Sequence, residues 1–179
     1  MSIAELPLHN VLTARARLGE GPIWDASSSL LYWVDIYNHW VHRFDPATGE
    51  DVRIDAGDTV GAIALTHTHQ IIMAQRHRLA FLDLDSQVVT PIAPIEKELP
   101  TNRFDAGKCD AAGRFWFGSM STDEQAGNLY CYDVDGRLSQ QETHLTVSNG
   151  LGWSPDNATF YLTDSPKRQI YVYDFDLDT

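Results

Sequence analysis

Aromatic and β-branched runs return along this chain in pairs, and the pairs recur at a near-constant interval. LLYWVDI (30–36) pairs with WVHRF (40–44), and QIIMAQ (70–75), preceded by GAIALT (61–66), pairs with RLAFLDL (78–84). RFWFGSM (114–120) pairs with NLYCYDV (128–134), and TFYLTDS (159–165) with QIYVYDF (169–175). Taking Trp33, Met73, Phe117 and Leu162 as equivalent points gives spacings of 40, 44 and 45 residues. Acidic turns separate the units: DPATGE (45–50), DLDSQ (83–87), DVDGR (133–137) and DFDLDT (174–179). No stretch holds a helical apolar period over three turns, so the class is all-β. A long-range period in such a chain signals a stacked or radial array. In a β-propeller, radial packing covers the faces of each small antiparallel sheet and leaves only short edges. A β-sandwich also uses short strands but gives no reason for the spacing to persist. We expect a single partial β-propeller domain over 1–179, with about four blades.

The segment NVLTARARL (10–18) alternates in character and is expected to supply a closing strand to the last unit. Four repeats then end either in a small closed ring or in an open arc covered by a second copy or a complementing fragment.

Charge narrows the partners. The 179 residues carry 13 Lys+Arg against 25 Asp+Glu, a net −12, with no basic cluster. Nucleic acid and anionic membrane surfaces are therefore excluded as expected partners. The longest apolar runs fall far short of the ~20 residues a spanning helix needs, and MSIAELPLHN lacks a basic and then apolar leader pattern. A cytoplasmic setting is expected. Cys109 and Cys131 form no CxxC pair and read as reduced core thiols.

Three motifs carry a resemblance. LGEGPIWD (18–25), NRFDAGKCDAAGRFWFGSM (102–120) and SNGLGWSPDNATFYLTDSPKRQIYVYDFD (148–176) occur in the order seen in the SMP-30/gluconolactonase/regucalcin family of six-bladed propellers. The chain resembles that family along nearly its whole length and covers about two thirds of a member, roughly four of six blades. The resemblance implies hydrolysis of a sugar lactone to the aldonic acid, dependent on a divalent cation (Ca²⁺, Zn²⁺, Mn²⁺ or Mg²⁺). The alternative is a catalytically inactive propeller that binds a cation or a partner, or a half that needs another chain.

Residue by residue, the resemblance gives Glu20 and Asn149 as metal ligands, a carboxylate and an amide carbonyl suited to hard cations. The family's third ligand, an Asp that also serves as its suspected base, falls beyond residue 179, so the catalytic base is unassigned. Arg103 matches the family's substrate arginine, whose planar guanidinium suits sugar hydroxyls or a lactone carbonyl. Asp105-Ala106 stands where the family carries Asn-Asp, turning a substrate-contacting amide into a carboxylate. Asp123, next to Glu124, falls near a further acidic substrate contact. Without the resemblance, Glu20 between two glycines is a loop charge, and Asn149-Gly150 is a turn dipeptide.

Other patterns weigh less. His67 and His69 could chelate from one face of a strand, but THTHQ reads as a solvent-facing turn. There is no nucleophile elbow, phosphate-binding glycine loop or calcium-loop pattern.

Overall fold

The computed structural model describes residues 8–122 and 126–178. Among them, fifteen strands form four antiparallel sheets, each a simple meander. Blade 1 contains β1 (Gly19–Asp25), β2 (Leu30–Asp35), β3 (Trp40–Asp45) and β4 (Glu50–Asp55). Blade 2 contains β5 (Val60–Leu65), β6 (Gln70–Gln75), β7 (Arg78–Asp83) and β8 (Val89–Pro94). Blade 3 contains β9 (Arg103–Cys109), β10 (Phe115–Met120), β11 (Gly127–Tyr132) and β12 (Leu138–Leu145). Blade 4 has three strands, β13 (Ser148–Trp153), β14 (Thr159–Asp164) and β15 (Gln169–Asp174). The four sheets stand in a propeller arrangement, and the acidic turns cap the hairpins. Asp45, Asp83 and Asp25 accept N–H or hydroxyl hydrogen bonds from residues two or three positions further on. Such turns fix hairpin register.

The apolar positions show why the units stack. A strand in a sheet covered on both faces carries apolar side chains at successive positions. β6 (QIIMAQ) buries Ile71 and Met73 against blade 1, while Ile72 and Ala74 of the same strand pack against blade 3. Among the described residues three cores result. The first joins blades 1 and 2 through Val34, Ile36, Ile63 and Met73, and the second joins blades 2 and 3 through Ala74, Leu79, Phe104 and Phe117. The third joins blades 3 and 4 through Trp116, Leu129, Phe160 and Leu162. No described core joins blade 4 back to blade 1, as a closed ring of four would require, so the arrangement is an open arc.

Met73, Phe117 and Leu162 each turn toward the preceding blade. Trp33, their equivalent in blade 1, meets no preceding blade among the described residues; it is half-buried and stacks on the His42 ring at 3.6 Å. At the other end of the arc, Tyr161, Ile170 and Val172 lie exposed on blade 4.

One expectation is corrected. Residues 10–18 form no strand and close no blade. Their end is drawn to blade 1, where the backbone N–H groups of Arg17 and Leu18 donate to the Asp35 carboxylate at 3.1 Å each, and Ile36 N–H donates to Leu18 O at 3.0 Å. Those bonds give the Arg17 and Leu18 N–H groups and the Leu18 carbonyl partners outside any strand ladder. His67 and His69 lie in an exposed turn as expected. Both cysteines are free; burial pushes the Cys109 thiol up to about 11 and the Cys131 thiol up to about 12, leaving both inert.

Candidate functional site

The innermost strands β1, β5, β9 and β13 begin at the same rim of the arc, and a repeated polar residue sets their register. The second strand of each blade carries Asp35, Gln75, Ser119 or Asp164, every one 0% exposed. Each holds the loop that leads into its blade. Asp35 accepts from Arg17 and Leu18, and Asp164 accepts from the Thr146 N–H at 2.8 Å and the Val147 N–H at 3.3 Å. Gln75 Nε2 donates to Ala56 O at 2.5 Å, and Ser119 Oγ donates to the Glu96 carboxylate at 2.8 Å. Burial alone pushes the Asp35 and Asp164 carboxyls up. The hydrogen bonds they accept, joined by Lys167 at Asp164, outweigh it and hold both below the ordinary carboxylate range.

These four latches face Gly19, Val60, Phe104 and Ser148 across their sheets. The next residue on each inner strand is therefore equivalent in all four blades: Glu20, Gly61, Asp105 and Asn149. A β-bulge sits at or just after that position in every blade. Bulges bend a strand and re-aim its side chains, and they recur beside active sites. The equivalent positions thus set Glu20, Asp105 and Asn149, all singled out from the sequence, at one level of their inner strands, with Arg103 one strand position before Phe104.

Gly61 is the one member without a side chain. A Cβ there would strike the backbone carbonyl of Phe104, because β5 and β9 run nearly in contact. The other three bring hard oxygen donors. Glu20 is exposed, and among the described residues its carboxylate makes no hydrogen bond or ion pair. Asn149 is also exposed; its Oδ1 accepts from Gly150 N–H at 2.8 Å and retains a second lone pair. Asp105 is engaged by Arg103, whose Nη1 donates to Asp105 Oδ1 at 2.6 Å and to Phe104 O at 3.0 Å. The side chains of that pair are 12% and 14% exposed.

Sequence reasoning missed Tyr37. It follows β2 in a short 3-10 helix, Ile36–Asn38, and Arg103 lies over its ring at 5.4 Å with Nη2 at 3.5 Å from its hydroxyl. Arg17 lies at 5.6 Å from the same ring. An aromatic at a strand end in YWVDIYN was the available signal. Asp123 and Glu124 lie outside the described residues. Below the rim, β1, β5 and β9 line a groove of about 550 Å³ that includes Gly21, Ile23, Ile63 and Gly107.

The Glu20 carboxylate and the Asn149 amide oxygen suit a hard divalent cation in donor type, and the free Glu20 carboxylate suits one in charge. Among the described residues no three His, Cys, Asp or Glu side chains cluster to form a metal site by themselves.

The sequence profile described as the SMP-30/gluconolactonase/LRE-like region matches residues 18–179. The chain belongs to this family. Its SMP-30/gluconolactonase relatives include regucalcin of Gallus gallus, 34% identical over 172 residues, which make up 92% of this chain and 58% of that protein. Pentonolactonase XacC of Haloferax volcanii is 33% identical over 94% of this chain and 57% of its own length. Among solved structures, the calcium-binding protein regucalcin from Agrobacterium tumefaciens superposes with a TM-score of 0.87 at 25% identity. That superposition covers 93% of this chain and 57% of the other. The chain therefore spans less than two thirds of these SMP-30/gluconolactonase relatives, while its four blades follow theirs.

Proposed function

We propose that the rim formed by Glu20, Arg103, Asp105 and Asn149 hydrolyses a sugar lactone to the aldonic acid with the help of a divalent cation. The observation that carries the proposal is the shared register, which sets Glu20, Asp105 and Asn149 at one level of three inner strands. Relatives whose names describe lactonases, XacC among them, support the substrate class. In the reaction, water adds to the lactone carbonyl carbon, the ring C–O bond breaks, and the ring oxygen leaves as a hydroxyl.

Glu20 and Asn149 would hold the cation, which when bound supplies Lewis-acid polarisation of the ester carbonyl. Arg103 is held in place by Asp105, Phe104 O and Tyr37, so it meets sugar hydroxyls with little ordering left to do. Asp105 accepts hydrogen bonds from those hydroxyls and, being a carboxylate, selects donors where an amide would both accept and donate. Asp123 belongs to the same proposal as a further substrate contact.

Proton release with gluconolactone-type substrates, measured above the spontaneous rate, tests this. Turnover that EDTA abolishes and Ca²⁺, Zn²⁺, Mn²⁺ or Mg²⁺ restores is expected, and Glu20→Ala should remove it. A folded chain with no turnover in any metal overturns the assignment.

The exposed Tyr161, Ile170 and Val172 and the half-buried Trp33 support a companion proposal, that further β-sheet from a second copy or a complementing fragment covers the ends of the arc. A doubled mass in solution, or activity that appears on mixing, is its test. Among the described residues no helix is long and apolar enough to cross a membrane. The two free thiols support a cytoplasmic setting.

A further inference from the structure

Glu96 takes no part in the chemistry above, yet it is a carboxylate only 5% exposed on a backbone at φ 52°. Among the described residues no cation pairs with it. A buried, unpaired carboxylate is costly unless donors surround it. Four do so. Asn102 Nδ2 donates to Oε2 at 3.0 Å, while Ser119 Oγ, Asn128 Nδ2 and the Tyr130 hydroxyl donate to Oε1 at 2.8, 2.6 and 3.0 Å.

These donors come from the loop residue just before β9, from β10 and from β11. In blades 1 and 4 the carboxylate stands on the second strand and grips N–H groups of the incoming loop. In blade 3 the arrangement is reversed, because the strand offers the Ser119 hydroxyl and the loop brings the carboxylate. The reversal falls in the one blade whose inner strand opens with an Arg and an Asp at the rim. Asn102 is the link. It is 0% exposed, it also donates to Ala126 O at 2.9 Å, and Arg103 is the next residue.

We propose that Glu96 is a positioning residue: by holding Asn102 and Ser119 together it fixes the entry of β9, so that Arg103 and Asp105 reach the rim already paired. Its consequence for turnover rests on the lactonase reading; its geometry does not. A carboxylate suits the task because it accepts at both oxygens, whereas an amide of the same shape must turn a donor toward one of the four donors.

Glu96→Gln and Ser119→Ala, compared with Gln75→Ala, provide the test. Gln75 is the latch of blade 2, where the rim position is Gly61 and offers no side chain. Two quantities are read: the Arg103 Nε–H resonance, assigned through Arg103→Lys, and the kinetics with a gluconolactone-type substrate. Glu96→Gln should shift that resonance and lower kcat/KM about 10-fold or more, chiefly by raising KM. Gln75→Ala should lower Tm and leave both unchanged.

A folded Glu96→Gln variant with the wild-type resonance overturns the proposal, as does an equal shift in Gln75→Ala. A shifted resonance with unchanged KM in an active protein also overturns it. If the wild-type chain hydrolyses no lactone, the lactonase reading fails while the resonance still decides the positioning role. If Glu96→Gln does not fold, Ser119→Ala decides: a smaller shift of the same resonance supports the proposal, and no shift overturns it.

Discussion

Blades 2 and 4 are built from the same meander, yet one is packed on both faces and the other on one. In β6 every residue after Gln70 is buried, whereas in β15 burial alternates, with Ile170 66% and Val172 63% exposed between the packed Tyr171 and Tyr173. Ile170 and Val172 are at least as apolar as Ile72 and Ala74, which pack against blade 3, so the difference at those positions lies in what stands beside the sheet. A blade is therefore a unit whose second face is stabilised only by a neighbour, as in other repeat arrays.

The largest effect is expected in the cores between blades. Phe117→Ala removes a 0% exposed ring between blades 2 and 3 and should cost about 3–5 kcal/mol, read from the urea midpoint. A loss under about 1 kcal/mol would mean that this interface is not the packed core described.

Next come the latches. Asp164→Ala leaves the Thr146 and Val147 N–H groups without their acceptor and should cost about 1–3 kcal/mol. Asp35→Ala should match it in blade 1, since both carboxylates do the same work at opposite ends of the arc. Acid should reach the same two groups. Their folded carboxyls titrate below the ordinary value, so their contribution is fully present above the unfolded carboxyl pKa of about 3.9 and is lost as pH falls through the folded values. The urea midpoint should therefore decline below about pH 4, and less steeply in Asp164→Asn.

The smallest effect is expected at Val172→Thr in the single chain, within about 0.5 kcal/mol, because no described residue of the chain itself covers that face. A cost comparable to that of a core substitution would show that another sheet covers blade 4 in solution.

Much of this was legible in the chain, and the exceptions have physical causes. The second and third strands of each blade announce themselves through aromatic and β-branched residues that fill the interfaces. Inner strands such as GEGPIWD, RFDAGKC and SNGLGW do not look like strands, since close approach and the rim demand Gly, Asp and Asn there. They stood out instead as motifs. Outer strands such as VTPIAP, with Pro91 and Pro94, and LSQQETHL are edges, where proline and polar residues are tolerated. Residues 10–18 alternate like a strand, yet their end is held by Asp35, a partner 17 and 18 positions away that no local pattern reveals. Glu96 in PIEKELP looks like one surface charge among several; only the fold encloses it.

The bare position at Gly61 limits how such a rim can change. Any side chain at that slot would have to push β9 aside, and β9 carries Arg103 and Asp105. Mutation can therefore retune the side chains that blades 1, 3 and 4 bring to this level of the arc but cannot add one from blade 2, which leaves the described rim lopsided by construction.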